Sequence, residues 1–190
     1  HHWLVYCLSL KTGEVLWKTV MAPEGFTGNA VWGSSPAIDT KRGQLYIATG
    51  NNYSVPDEVL ECVAAALPDD PVAASACSPA ANHFDAIMAL DMDTGAIRWS
   101  TRAIPFDAWT VDCIFGDGDL CPEPAGPDYD FGQAPALFKT RDDKGKPVEL
   151  VGAKVAGNME IKAAKIRGVD SAGMICAEDE LGISNDHAGI

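Results

Sequence analysis

VYCLSLKTGEVLWKT, residues 5–19, returns as IMALDMDTGAIRWST, residues 87–101. Leu8, Thr12, Gly13 and Trp17 align with Leu90, Thr94, Gly95 and Trp99 at one fixed offset. In each copy an alternating apolar run (Val5, Cys7; Ile87, Ala89) predicts a strand. A tight turn ending in Thr-Gly follows, then a second strand carrying Val15 or Ile97 and the tryptophan. The alternative is two unrelated hairpins that share turn chemistry. Identity at matched spacing favours a true repeat, whose units bury their apolar faces only against neighbours. The indole then supplies a flat surface for the next sheet.

Outward from the repeat, Ala30–Thr40 and Gln44–Gly50 read as two strands joined by the turn at residues 40–43. Asn51–Asp85 reads as irregular, with Pro56, Pro68, Pro71 and Pro79 and one helical turn in VAAAL. A loop of that length inside a compact domain is usually functional. Pro105–Pro127 is a second loop, holding Asp107-Ala108-Trp109 and the GDGD run at 116–119. Phe131–Phe138 and Val148–Gly152 then resemble the first two strands of another unit, joined by a charged turn. Counted in fours, the strands make half a unit, a full unit and half of the next. Four-stranded units repeated around an axis are propeller blades.

Composition narrows the function classes. The net charge of −13 argues against nucleic-acid binding by the whole chain. No apolar stretch is long enough for a membrane span. No initiator Met or signal peptide is visible, so a longer natural chain is expected. Six cysteines stand at 7, 62, 77, 113, 121 and 176 without a CxxC, which disfavours zinc. Cys62 with Cys77, and Cys113 with Cys121, would close short loops and suit disulfides in an oxidising compartment. Reduced buried thiols are the alternative.

Residues 1–153 resemble the quinoprotein dehydrogenases, eight-bladed propellers that use pyrroloquinoline quinone (PQQ). The docking motif Ala-x-Asp-x-x-Thr-Gly-x-x-x-Trp is matched at Ala89, Asp91, Thr94, Gly95 and Trp99, with Cys7 and Ser9 departing from it in the first copy. VWGSSPAIDTKRGQLYIATGNNYSVP, NHFDAIMALD and PDYDFGQAPALF are most similar to the polyvinyl alcohol dehydrogenase branch. The resemblance implies that Trp32 underlies the PQQ rings and that Asn51 coordinates an adjacent Ca²⁺ through its amide oxygen. On residue chemistry alone, Trp32 equally reads as a core tryptophan and Asn51 as a cap on a strand-to-loop turn. Relatives place Asp-x-Trp-Asp after this blade, the second Asp serving as base. Here Thr110 stands in that place, and threonine is no base near neutral pH. Asp107 and Asp112 bracket it as alternative bases, although each reads first as a solvated loop carboxylate. The implied activity is oxidation of secondary alcohols in the periplasm, with electrons passing to a cytochrome c that is either separate or carried by the missing part.

Residues 154–190 carry neither Trp nor the Thr-Gly turn. Ile161, Lys162, Lys165, Ile166, Arg167, Gly168, Ser171, Gly173–Cys176, Glu180–Ile183 and His187 resemble the tRNA-binding OB-fold module of the phenylalanyl-tRNA synthetase β subunit, a cytoplasmic enzyme. Lys162, Lys165 and Arg167 are the residues expected to touch tRNA phosphates, or else they line a solvated strand face. The expectation is therefore an all-β chain: about two blades of an eight-bladed β-propeller at 1–153, then an OB-fold fragment at 154–190. Two coding sequences are expected to meet near Val151–Ala153. The propeller part is expected to need the missing blades of its parent for activity. An inactive structural repeat fragment is the remaining alternative.

Overall fold

The computed structural model describes residues 3–32, 35–115 and 120–153. The expected tail fold, Lys162, Lys165, Arg167 and the GDGD run at 116–119 lie outside the described residues. β1 (Leu4–Leu8) and β2 (Val15–Val20) form the first hairpin. β3 (Thr27–Gly28) pairs with β6 (Asn52–Ser54). The order β4-β5-β7-β8, built from Ala37–Asp39, Gln44–Ala48, Ala86–Asp91 and Ile97–Arg102, makes one antiparallel four-stranded sheet. β9 (Ala136–Arg141) and β10 (Pro147–Gly152) form the last hairpin.

Both repeat copies fold alike. Trp17 sits opposite Cys7 and Trp99 opposite Ala89, and each hairpin shifts register at the next residue, Leu8 or Leu90. The four-stranded sheet lies between its neighbours because strand alternation gives it two apolar faces. Tyr46, Ala48, Ile87 and Ala89 face Leu150 and Val151 of the last hairpin. Ile47, Ala86, Met88 and Leu90 face Met21, Val5 and Trp17 on the other side.

The indole of Trp17 locks the first hairpin to the sheet. Its Nε1 donates to the Met92 carbonyl at 3.0 Å, and Thr19 Oγ1 donates to the Gly95 carbonyl at 2.6 Å. Gly95 has φ +73°, and a β-carbon there would collide with the Trp17 ring. Only glycine combines that backbone with that contact. On the opposite side Arg42 bridges Asp39 and Glu149, tying the β4–β5 turn to β10.

Two expectations need correction. Among the described residues the strand read over Ala30–Thr40 shrinks to Ala37–Asp39, because the Ala30 carbonyl instead accepts from the Gly50 amide at 2.8 Å, beyond the end of β5. The irregular reading of Asn51–Asp85 gives way to β6 and two helices, α1 (Asp57–Ala66) and α2 (Pro71–Cys77). Val59 and Val63, four residues apart, bury one face of α1 against Phe26 and Phe106. Asp70 caps α2 by accepting from the Ala73 amide at 2.9 Å, and Pro71 opens its first turn. A prolyl ring in that position starts a helix rather than breaking one, which is why proline counting misread the segment.

Both candidate disulfides are formed. Cys62–Cys77 joins α1 to α2 with a Cα separation of 5.8 Å, and Cys113–Cys121 closes the second loop at 4.8 Å. No helix among the described residues is long and apolar enough to cross a membrane.

Candidate functional site

β5 ends at Ala48, and Thr49, Gly50 and Asn51 carry the chain into the interior. Thr49 bonds to the Ala86 and His83 carbonyls, so the strand end is held to β7. The Gly50 amide donates to the Ala30 carbonyl at 2.8 Å, and its carbonyl accepts from the Asp85 amide at 3.0 Å. Gly50 has no room for a side chain. A β-carbon there would strike the Asp130 carboxylate and come within 2.6 Å of Trp32 Nε1. This one glycine therefore lets a tryptophan edge and a carboxylate close on the same backbone point.

Trp32, expected beneath a planar cofactor, is 41% exposed. It meets Trp3 at a centroid distance of 6.3 Å and a tilt of 41°, which leaves ring surface open. A groove of about 270 Å³ runs beside it, walled by Trp3, Pro36 and Pro135 among others.

Asn51 is buried, its backbone amide donating to Asp130 Oδ1 at 2.9 Å. Its side-chain Nδ2 donates to the Trp109 carbonyl at 2.8 Å, which fixes the amide's orientation. Its own carbonyl accepts from the Asn29 amide at 2.7 Å. Beneath it Asn29, Asn52 and Asn82 form a fully buried amide network, with Asn52 Nδ2 on Asn29 Oδ1 at 2.6 Å and Asn82 Nδ2 on Asn52 Oδ1 at 2.9 Å. Such a network ranks as specific only because its members satisfy one another.

The second loop returns Asp107 to the same place. The Asp107 carbonyl accepts from the Asn52 amide at 3.0 Å. Its carboxylate accepts from the Trp109 amide at 3.1 Å and the Tyr129 amide at 2.8 Å. Reading Asp107 as a solvated loop residue is therefore wrong: it is fully buried, because those amides replace water. Burial pushes its carboxyl up to about 6, against the lowering pull of the amides of Tyr129, Trp109 and Asp128. Asp112 instead lies in a short 3₁₀ turn, Val111–Ile114, where its carbonyl accepts from the Phe115 amide. Thr110 Oγ1 donates to the Leu120 carbonyl at 3.2 Å and so closes its loop. Of the two bracketing carboxylates, Asp107 alone is joined by these bonds to Asn51 and its neighbours.

Sequence reading missed Asp85. It is fully buried, its backbone has φ +41°, and neither carboxylate oxygen has a hydrogen-bond partner among the described residues. Burial first, then the fields of Asp107, Asp130 and Asp128, push its carboxyl up to about 10. Only the NHFD context, inside the stretch that resembles a known family, marked the segment; nothing local distinguishes Asp85 from a surface aspartate.

The donor set suits a hard cation, which accepts neutral amide oxygens beside carboxylates. Among the described residues no three His, Cys, Asp or Glu side chains converge as a cage. A cation here would rest on fewer carboxylates, completed by neutral oxygens. The orphaned Asp85 oxygens are compatible with a nearby cation, while at Gly50 the space a side chain would take is filled by Asp130 and the Trp32 edge.

Comparison with known proteins gives likenesses of sequence and fold. No protein-family model matches the chain. It is 32% identical over 163 residues to the polyvinyl alcohol dehydrogenase of Sphingopyxis sp. strain 113P3, covering 77% of this chain and 21% of that protein. The chain thus spans about a fifth of the length of that relative. The quinohemoprotein alcohol dehydrogenase ADHIIG of Pseudomonas putida HK5 superposes with a TM-score of 0.55 at 20% identity, over 93% of this chain and 24% of its own. That likeness concerns fold. The C-terminal part is 54% identical over 44 residues to the phenylalanine–tRNA ligase β subunit of Bordetella pertussis, which is 23% of this chain and 6% of the ligase. One chain therefore carries likenesses to two unrelated proteins.

Proposed function

We propose that residues 1–153 are part of an eight-bladed quinoprotein dehydrogenase, in which Trp32 underlies PQQ and Asn51 offers its amide oxygen to an adjacent Ca²⁺. The observation that carries this reading is Gly50, which brings the Trp32 edge to the residue before Asn51. When bound, PQQ with its cation supplies a polarised carbonyl that accepts hydride. The chain's own contribution is positioning and proton transfer. Trp32 gives the flat group a rigid face. Asn51 is presented by its bond to Trp109. Asp107 takes the hydroxyl proton of a secondary alcohol of the polyvinyl alcohol type; at about 6, its carboxyl is ionised at neutral pH and remains a usable base. Asp112 is the weaker candidate for that role. Thr110 shapes the loop without titrating.

Two disulfides support an oxidising compartment, which we read as the periplasm; the cytochrome c acceptor rests on the family likeness alone. Turnover needs the further blades that complete the ring, so the segment alone is expected to bind and not to oxidise. Titrating the full chain with PQQ in CaCl₂ tests the reading. Tryptophan emission should fall saturably at micromolar PQQ, and Trp32→Ala should remove most of the change. No saturable quenching by tens of micromolar PQQ would refute the site.

A second reading belongs to residues 154–190 alone, supported by the 54% identity to a tRNA ligase subunit. There Lys162, Lys165 and Arg167 contact tRNA phosphates, and affinity should fall steeply with salt. Salt-independent or absent tRNA binding would remove it. The two likenesses are best joined by a fusion of coding sequences near Val151–Ala153. Sequencing the source DNA across codons 145–160 would expose an uninterrupted native gene if that fusion is wrong.

A further inference from the structure

We propose that Asp85 is a carboxylate ligand of a divalent cation held at Asn51, an inference that rests on the cation placed at Asn51 above. Asp85 cannot turn to solvent. Its amide is bonded to the Gly50 carbonyl at 3.0 Å and its carbonyl to the Ala103 amide at 2.8 Å, so the backbone is clamped on both sides. Its side chain is fully buried and both oxygens lack a partner among the described residues, whereas Asp107 and Asp130 are each bonded to backbone amides.

A buried carboxylate without hydrogen bonds is neutralised by a proton or by a cation. Two features favour the cation. The Asp85 backbone is bonded directly to the residue before Asn51, and Asp107, whose carbonyl holds Asn52, lies within its electrostatic reach. Asp107, Asp130 and Asp128 act on Asp85 through their fields without converging with it as a cage among the described residues, and a divalent ion beside Asp85 offsets that repulsion more than a proton does. The left-handed backbone at Asp85, φ +41°, is one that aspartate tolerates better than most residues. The ligand set is then Asp85, the Asn51 amide oxygen and neutral oxygens around them. Among the described residues Asp107 and Asp130 already accept from backbone amides, which leaves Asp85 as the carboxylate with both oxygens free for an ion.

The test uses the full chain and Tb³⁺, a Ca²⁺-like ion whose emission is sensitised by nearby tryptophan. Saturable emission that Ca²⁺ displaces is expected. Asp85→Asn should weaken Tb³⁺ at least tenfold, while the exposed control Asp69→Asn should leave it unchanged. Equal affinity in Asp85→Asn, with binding lost in Asn51→Ala, would overturn the role of Asp85 and spare Asn51. Equal affinity in both would overturn both. Circular dichroism reports whether Asp85→Asn folds. Should it not, melting of the unmodified chain decides: a Ca²⁺-dependent rise in Tm is expected, and no rise at saturating Ca²⁺ would end the proposal.

Discussion

The two copies of the repeat share a hairpin and differ in what surrounds it. In each, the Gly amide closes the turn onto the residue four places earlier, Gly13 to Ser9 at 2.8 Å and Gly95 to Asp91 at 2.9 Å. The glycines have φ +75° and +73°. Beyond that the environments part. Gly95 is covered by Trp17, while a β-carbon on Gly13 would meet nothing within 4 Å. Trp17 is held by a hydrogen bond to the neighbouring turn; Trp99 packs against Tyr46 at 5.8 Å, in the core shared with β10. A repeat thus specifies its own backbone, and each neighbour decides what the exposed half of the motif does.

The largest break in this comparison is expected at the glycines. Gly95→Ala should cost about 2–4 kcal/mol, combining a strained backbone with a ring collision, and Gly13→Ala about 1 kcal/mol from backbone alone. Urea unfolding of both variants measures the gap; equal losses would deny that Trp17 docks on Gly95. The tryptophans should differ less. Trp17→Phe removes the bond to Met92 and should cost about 1 kcal/mol more than the same change at Trp99. Double-mutant analysis of Trp17→Phe with Gly95→Ala should show coupling, and additivity would contradict the contact.

The smallest effect concerns the turn carboxylate that the first copy lacks. Asp91 is held down to about 2, chiefly by Arg98 and then by Thr94, whereas Ser9 in the equivalent place has no charge. A carboxyl below its ordinary value stabilises above pH 4 and loses that contribution as pH falls through about 2. Asp91→Ser should therefore flatten the acid limb of the melting curve, and Ser9→Asp should steepen it. Acid-limb melting that is the same in all three proteins would show the turn charge to be inert.

What was legible followed from spacing. Alternation and the Thr-Gly turns located both hairpins, and the strand count anticipated the four-stranded sheet. Short loops between cysteines made both disulfides plausible, though only Cα separations decided them. The helices were hidden because prolines dominate their flanks, and a residue that ends one helix opens another. Within the candidate site, Trp32 and Asn51 are named by motif likeness. The burial of Asp107 and Asp85 is not legible in sequence, since burial depends on chain segments 20 or more positions away, such as Tyr129 over Asp107.

Turn chemistry, strand periodicity and the position of each tryptophan are local properties, set by φ preferences and by the two-residue pleat, and the amino-acid order alone determined them. Only the tertiary structure brought Gly50, Asp85, Asp107 and Asp130 around Asn51, because the dielectric and the hydrogen-bond partners of a carboxylate come from whatever backbone folds over it.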